Sequence, residues 1–243
     1  MERGTIWRHG TATSVLDNVV WHALEGPQAH LGSREGAAAR FDTDVSPFSA
    51  LADISSPQAW DDLGALIGEG AAAMLFAPSV DVPPGWSRDI AIPCVQMVAT
   101  DVIRPSPGVE LVELGPSDVD DMLELAALAR PGPFDRRTIE LGTYLGLREG
   151  GRLVAMAGER FKVPGYTEIS AVATAPSHRG KGFGAATVLA TTERIRERGE
   201  EAYLHVLLDN APAIALYTKL GFTVRLQAEA VAVRPVAVQD VGG

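Results

Sequence analysis

The chain has 243 residues, 46% of them hydrophobic and 21% charged, enough to bury a core as one large domain or two of roughly 100 to 150 residues. No run of about 18 apolar residues occurs, so a transmembrane helix is not expected, and the composition is that of a folded chain rather than a disordered one. The net charge of -10 argues against a protein that grips nucleic-acid phosphates over a broad face.

The first fifteen residues, MERGTIWRHGTATSV, lack a continuous apolar stretch with a small-residue cleavage site, so a cytoplasmic location is expected and no membrane partner. A single cysteine, Cys94, permits no internal disulfide and no cysteine-based zinc cluster. The five histidines, His9, His22, His30, His178 and His205, show no paired ligand spacing, and no metal is expected.

Residues 41–53, FDTDVSPFSALAD, read as an extended piece and turn. Residues 56–70, SPQAWDDLGALIGEG, read as a capped amphipathic helix ending at Gly68 to Gly70, and residues 71–77, AAAMLFA, as a short buried strand. Trp21, His22 and His30 read as packing residues. The apolar run CVQMVATDVI then gives way to RPSPG at Arg104 to Gly108, where Pro and Gly interrupt helix and strand alike. This places a boundary there, giving an N-terminal α/β domain over 1–106 and a second domain over 107–243. Residues 1–107 carry 13 acids and 6 bases, the remainder 18 and 15, so the cations concentrate in the second segment.

That segment opens with Ser117 as the expected N-cap of DVDDMLELAALA, which has acids in its first turn and apolar residues at Met122, Leu125 and Leu128. RPGPFDRRT breaks the helix. YLGLRE, a turn at Gly150 and Gly151, and RLVAMAGERF have the pattern of an antiparallel hairpin, and YTEISAVATA, after Pro164 and Gly165, reads as a further strand. APSHRGKGFG follows, then a helix with Ala185, Val188, Leu189, Thr192 and Ile195 at helical spacing, closed by Gly199.

Strand, glycine-rich turn and helix N-terminus together make an anion site, because unpaired backbone N–H groups and the positive end of the helix dipole point into the turn. Gly180, Gly182 and Gly184 allow close approach of a phosphate, and Arg179 and Lys181 add positive charge. No Walker A sequence occurs here. Gly180, Gly182 and Ala185 do fit the dinucleotide pattern GxGxxA, with Asp209 ending the next strand. Against that oxidoreductase reading, Pro176 to Arg179 separate the strand from the turn, and only about 60 residues remain for a doubly wound sheet.

The sequence resembles the GCN5-related N-acetyltransferase (GNAT) family, and more closely its FR47-like branch. The family's pyrophosphate loop runs Arg or Gln, two residues, Gly, one residue, Gly or Ala; here it is Arg179-Gly180-Lys181-Gly182-Phe183-Gly184. Asn210, Ala213, Leu216, Tyr217, Gly221 and Phe222 match the family's NxxAxxLYxxxGF signature. The resemblance is strong over about 146–226 and close to absent before residue 95.

It implies a mixed α/β GNAT acyl-CoA N-acyltransferase fold, with a central, mostly antiparallel sheet and a splayed parallel strand pair, behind an N-terminal segment that would be a degenerate copy. The implied reaction is direct transfer of an acetyl group from acetyl-CoA to a primary amine of a small molecule or peptide. Pantetheine would bond the strand backbone near Val172, Ala173 and Thr174, the coenzyme A pyrophosphate would sit on the amides of 180–184, and Asn210 would cap its helix, contact pantetheine, or both. Tyr217 would protonate the departing thiolate. Glu168 would remove the amine proton directly or through water, with Glu159 as runner-up. FR47-like chains often have Cys-Thr-His-Pro where this one has Ala173-Thr174-Ala175-Pro176, so cysteine chemistry is not expected at that strand end. PGPFDRR would help build the acceptor site, with Arg136 and Arg137 either binding a carboxylate or lying on the surface. The rival function is an acyl-CoA-binding, partner-binding module without turnover. A homodimer is compatible with either.

Overall fold

A computed structural model describes residues 14–101 and 109–236. His9 and the RPSPG boundary lie outside the described residues. The first segment contains α1 (Val19–Glu25), β1 (Gly32–Glu35), β2 (Ala38–Phe41), β3 (Phe48–Leu51), α2 (Pro57–Ile67), β4 (Ala73–Ala77) and β5 (Trp86–Ala99). The second contains β6 (Val112–Leu114), α3 (Val119–Ala129), β7 (Tyr144–Glu149), β8 (Arg152–Val163), β9 (Tyr166–Thr174), α4 (Phe183–Glu197), β10 (Glu201–Leu207), α5 (Ala211–Lys219) and β11 (Phe222–Pro235).

All eleven strands form one sheet, in the order β1-β2-β3-β4-β11-β5-β10-β9-β8-β7-β6. Both segments run three antiparallel strands, a helix, and a strand parallel to the third: β4 pairs parallel with β3, and β10 with β9. Every other pairing is antiparallel. The last strands are exchanged, since β5 lies against β10 and β11 against β4, and the two pair with each other along their length. The strand and helix order thus repeats along the chain within one continuous sheet.

Helix α3 starts differently from the expectation. Ser117 lies in a 3-10 turn, and Asp118 holds the entry by accepting from Gly115 N–H at 2.8 Å. A carboxylate there also serves the helix dipole and binds Arg148 at 2.6 Å.

The sheet curls, bringing the two segments face to face. Phe41 and Phe48 of the first segment lie against Phe161 of β8, ring centroids 5.5 and 5.6 Å apart. The buried amide of Gln28 donates to the carbonyls of Leu141 and Arg160 and accepts from Lys162 N–H, satisfying backbone groups that burial would otherwise leave unpaired. Val188, Leu189 and Ile195 of α4 pack beneath β9 and β10 together with Tyr217 of α5. Among the described residues no helix is long and apolar enough to cross a membrane.

Candidate active site

The loop before α4 departs from both strand and helix because two glycines adopt left-handed backbone, Gly180 at φ 80° and Gly182 at φ 82°, a conformation that is costly for other residues. A Cβ at either would meet no atom within 4 Å, so both face open space. No hydrogen bond is donated by the backbone N–H groups of 180–185 among the described residues. A fifteen-residue helix thus presents unpaired donors and its positive dipole end to one opening, a surface that suits a pyrophosphate. Lys181 pairs with Glu149 at 3.3 Å and lies over the Phe183 ring, and His178 binds the same carboxylate at 3.1 Å, so His178 is a loop-side partner.

Strand β9 then supplies the second part. It pairs with β10 only over Tyr166–Ile169, after which β10 keeps its β5 partner alone and β9 and β10 part. On its other side β9 has a bulge: Ala171 and Val172 together oppose Ala157, and Ala171 takes φ 51°, unusual for a residue with a Cβ. The bulge leaves Ala171 and Val172 sharing one opposing residue at the mouth of the fork.

The fork and the two ends of the loop share one cavity of about 470 Å³, while Gly180, Lys181, Gly182 and Phe183 lie off its wall. Val172, Thr174, Arg179, Gly184, Asn210 and Tyr217 line it, so the structure gathers these six expected residues into one place. Ala173 is buried on the opposite face, among the residues under α3, so its side chain is off the cavity. Asn210 caps α5, accepting from Ala213 N–H at 3.2 Å, and its amide N–H groups have no partner among the described residues. The Tyr217 hydroxyl makes no hydrogen bond among the described residues, and burial raises its pKa to about 12.

Glu168 differs from the expectation. It is fully buried, off the cavity wall, and behind two residues that are on it. Arg160 reaches it with Nε at 2.9 Å and Nη2 at 2.5 Å, and His205 Nδ1 lies 2.7 Å away. Burial would raise its pKa, but the Arg160 guanidinium and then His205 prevail and hold it at about 2. Such a carboxylate is a poor acceptor for the proton of an ammonium group of ordinary pKa about 10. The runner-up Glu159 is likewise fully buried and held by Lys162 at 2.9 Å and Arg198 at 2.8 Å.

The network also sets the state of His205. Arg225 donates to Gln96 Oε1 at 2.8 Å, so the Gln96 amide donates to Leu16 O at 2.8 Å and to His205 Nε2 at 3.0 Å. The imidazole therefore carries its proton on Nδ1, toward Glu168, and burial lowers its pKa. Arg136 and Arg137 are elsewhere: Arg136 pairs with Asp120 and Arg137 with Asp42, Asp44 and Glu140, so they are surface partners with no place on the cavity.

Several cavity residues escaped the sequence reading, namely Arg160 and His205, and Phe48, Met74, Phe76 and Cys94 of the first segment. A signal existed for Arg160, since ERFK breaks an otherwise apolar strand. None existed for the others, which look like ordinary core residues until the sheet curls.

A family model described as FR47-like protein matches residues 144–231. A GNAT-family protein from Novosphingobium aromaticivorans, solved by crystallography, is 37% identical; the match covers 93% of this chain and 100% of that one, with TM-score 0.83. The chain belongs to the GNAT family. A GCN5-related N-acetyltransferase from Kribbella flavida shares the fold at 22% identity and TM-score 0.58, over 87% of this GNAT chain and 90% of its own. Among curated proteins, an uncharacterized Mycobacterium leprae protein is 30% identical over 77% of this chain and 55% of its own length. The mycothiol acetyltransferase of Saccharomonospora viridis is 48% identical over 23% of this chain and 18% of its own. This GNAT chain thus spans about half or less of those two relatives.

Proposed function

We propose that the protein transfers an acetyl group from acetyl-CoA directly to a primary amine of a small molecule or peptide. The observation that carries this reading is the cavity that the β9–β10 fork, Tyr217 and the two ends of the glycine loop, Arg179 and Gly184, line together, with the unpaired loop amides beside it. Bound acetyl-CoA would supply a thioester carbonyl, whose C–S bond breaks as the C–N bond to the acceptor forms. The amides of 180–184, with Arg179 and Lys181, hold the pyrophosphate. Val172, Ala173 and Thr174 bond the pantetheine through the strand backbone, and Asn210 adds a side-chain contact. Tyr217 keeps its proton at neutral pH and gives it to the departing sulfur. Glu168 acts through Arg160 and His205, fixing both at the cavity wall, while the amine proton leaves to water.

The first segment reads best as a diverged copy of the second. It repeats the strand and helix order, but between β3 and α2 it has ADISS, with an acid and no glycine, where the second segment has its cationic glycine loop. The coenzyme-binding module without turnover is less well supported, because no described residue ties the Tyr217 hydroxyl elsewhere. The mostly antiparallel sheet does not support the dinucleotide reading.

Calorimetric titration with acetyl-CoA, with NAD as control, tests the proposal. Saturable binding of acetyl-CoA that Gly182→Trp abolishes is the expected result. Absence of binding, or equal binding by the variant, would overturn it.

A further inference from the structure

The cavity passes through the sheet at the β9–β10 fork. One face carries α5 and Tyr217; the other carries Phe48 of β3, Met74 and Phe76 of β4, Ile92 and Cys94 of β5. All five come from the first segment. Phe48 and Phe76 meet edge to face at 6.1 Å, and the Phe76 ring lies 4.2 Å from that of His205. These residues line the side of the fork opposite Tyr217.

Its charge is informative. Among the described residues no Asp or Glu lines the cavity; the charged side chains on its wall are Arg130, Arg160 and Arg179. Arg160 is neutralised from behind by Glu168 and already covers the Phe48 ring, and His205 is neutral, so the inner end offers apolar and aromatic surface and no carboxylate for a cation. A second ammonium group carried into it would lose water without gaining a counter-ion. Despite the net charge of -10, the site disfavours polycationic acceptors.

Resting on the acetyltransferase reading above, we propose that the first segment builds the acceptor site, and that it takes a small primary monoamine with an aromatic or branched apolar body. The apolar body packs against Phe48, Met74, Phe76 and Ile92 with the amine toward the fork. The same walls account for deprotonation without a side-chain base. Desolvation favours the neutral amine, which is the nucleophilic form, and the proton stays in solution when the amine enters.

Thiol release from acetyl-CoA by the full chain tests this with 2-phenylethylamine, isoamylamine, spermidine, kanamycin and a lysine-containing peptide. Binding of acetyl-CoA, and of 2-phenylethylamine to protein loaded with coenzyme A, is followed separately by calorimetry. The expected result is kcat/KM for 2-phenylethylamine at least roughly tenfold above that for spermidine, rising with pH toward the pKa of the amine used. Ile92→Glu introduces the missing carboxylate at a half-exposed wall position. It should lower activity with 2-phenylethylamine about tenfold, raise it with spermidine, and leave acetyl-CoA binding unchanged. Preference for spermidine, kanamycin or the peptide, with acetyl-CoA binding intact, overturns the acceptor assignment and leaves the transferase reading standing. If 2-phenylethylamine binds without turnover, the acceptor site is supported and the transferase reading fails. If neither acetyl-CoA nor 2-phenylethylamine binds, both fall.

Discussion

Arg160 holds Glu168 in a two-pronged ion pair across β8 and β9, with Nε 2.9 Å from one carboxylate oxygen and Nη2 2.5 Å from the other. Both groups are deeply buried, so each is the condition for the other's charge. The pair makes the fork wall rigid and presents a guanidinium edge, already neutralised, to the acceptor side.

Removing one partner should therefore cost far more than a surface ion pair. Glu168→Gln leaves a buried guanidinium without its counter-charge, and a loss of about 3 to 5 kcal/mol is expected in urea unfolding. A paired change, Glu168→Gln with Arg160→Met, should recover a large part of it.

The same pair predicts the pH dependence of stability. The unfolded Glu168 side chain takes up its proton near 4.5 and the folded one not until about 2, so the folded state binds fewer protons between these values. Its contribution, about 3 kcal/mol, is present in full above pH 4.5 and is lost as pH falls toward 2. His205 has the same sign, since its folded pKa is lowered from 6.5, and stability should begin to fall once pH drops below that value. Urea midpoints at pH 7, 5 and 3 should decrease in that order, and His205→Asn should remove the early part of the decline.

For Tyr217→Phe the ring and its packing against Phe222 remain while the proton is lost. The expected outcome is a fall in kcat of about 100-fold or more, with the dissociation constant for acetyl-CoA unchanged. With a pKa near 12, this tyrosine should produce no loss of activity between pH 7 and 10. A matching loss of coenzyme affinity would assign Tyr217 to packing instead.

Gly182 separates backbone strain from ligand access. Its φ of 82° makes Gly182→Ala cost about 1 kcal/mol of stability, though nothing stands where the methyl group would go. Gly182→Trp should unfold at a similar urea concentration to Gly182→Ala, yet abolish acetyl-CoA binding, because only the ligand meets the indole.

Arg136→Ala and Arg137→Ala should leave KM for the acceptor unchanged, since both guanidinium groups are committed to surface carboxylates away from the cavity. A raised KM in steady-state kinetics would restore the reading in which PGPFDRR binds an acceptor carboxylate.

The glycine loop, its flanking strand and helix, and the Asn210 and Tyr217 pair were legible from residues alone. Each depends on interactions within a dozen or so residues: left-handed backbone at Gly180 and Gly182, helix-end donors, an N-cap and helical spacing. The low basicity of Glu168 was not legible, because a carboxylate's basicity depends on neighbours that sequence does not order. Arg160 lies eight positions before it and His205 thirty-seven after, and register brings them to 2.5 and 2.7 Å.

Local chemistry thus determined from sequence which stretch forms a left-handed glycine loop at a helix N-terminus and which tyrosine lies on the cavity wall. The tertiary structure alone decided how the first segment takes part. Strand exchange seats β5 between β10 and β11, and the curl of the sheet carries Phe48, Met74 and Phe76 to the far side of the fork. Their apolar character is the same in a core and in a binding wall; which of the two they form depends on whether the strands in front of them pair or part.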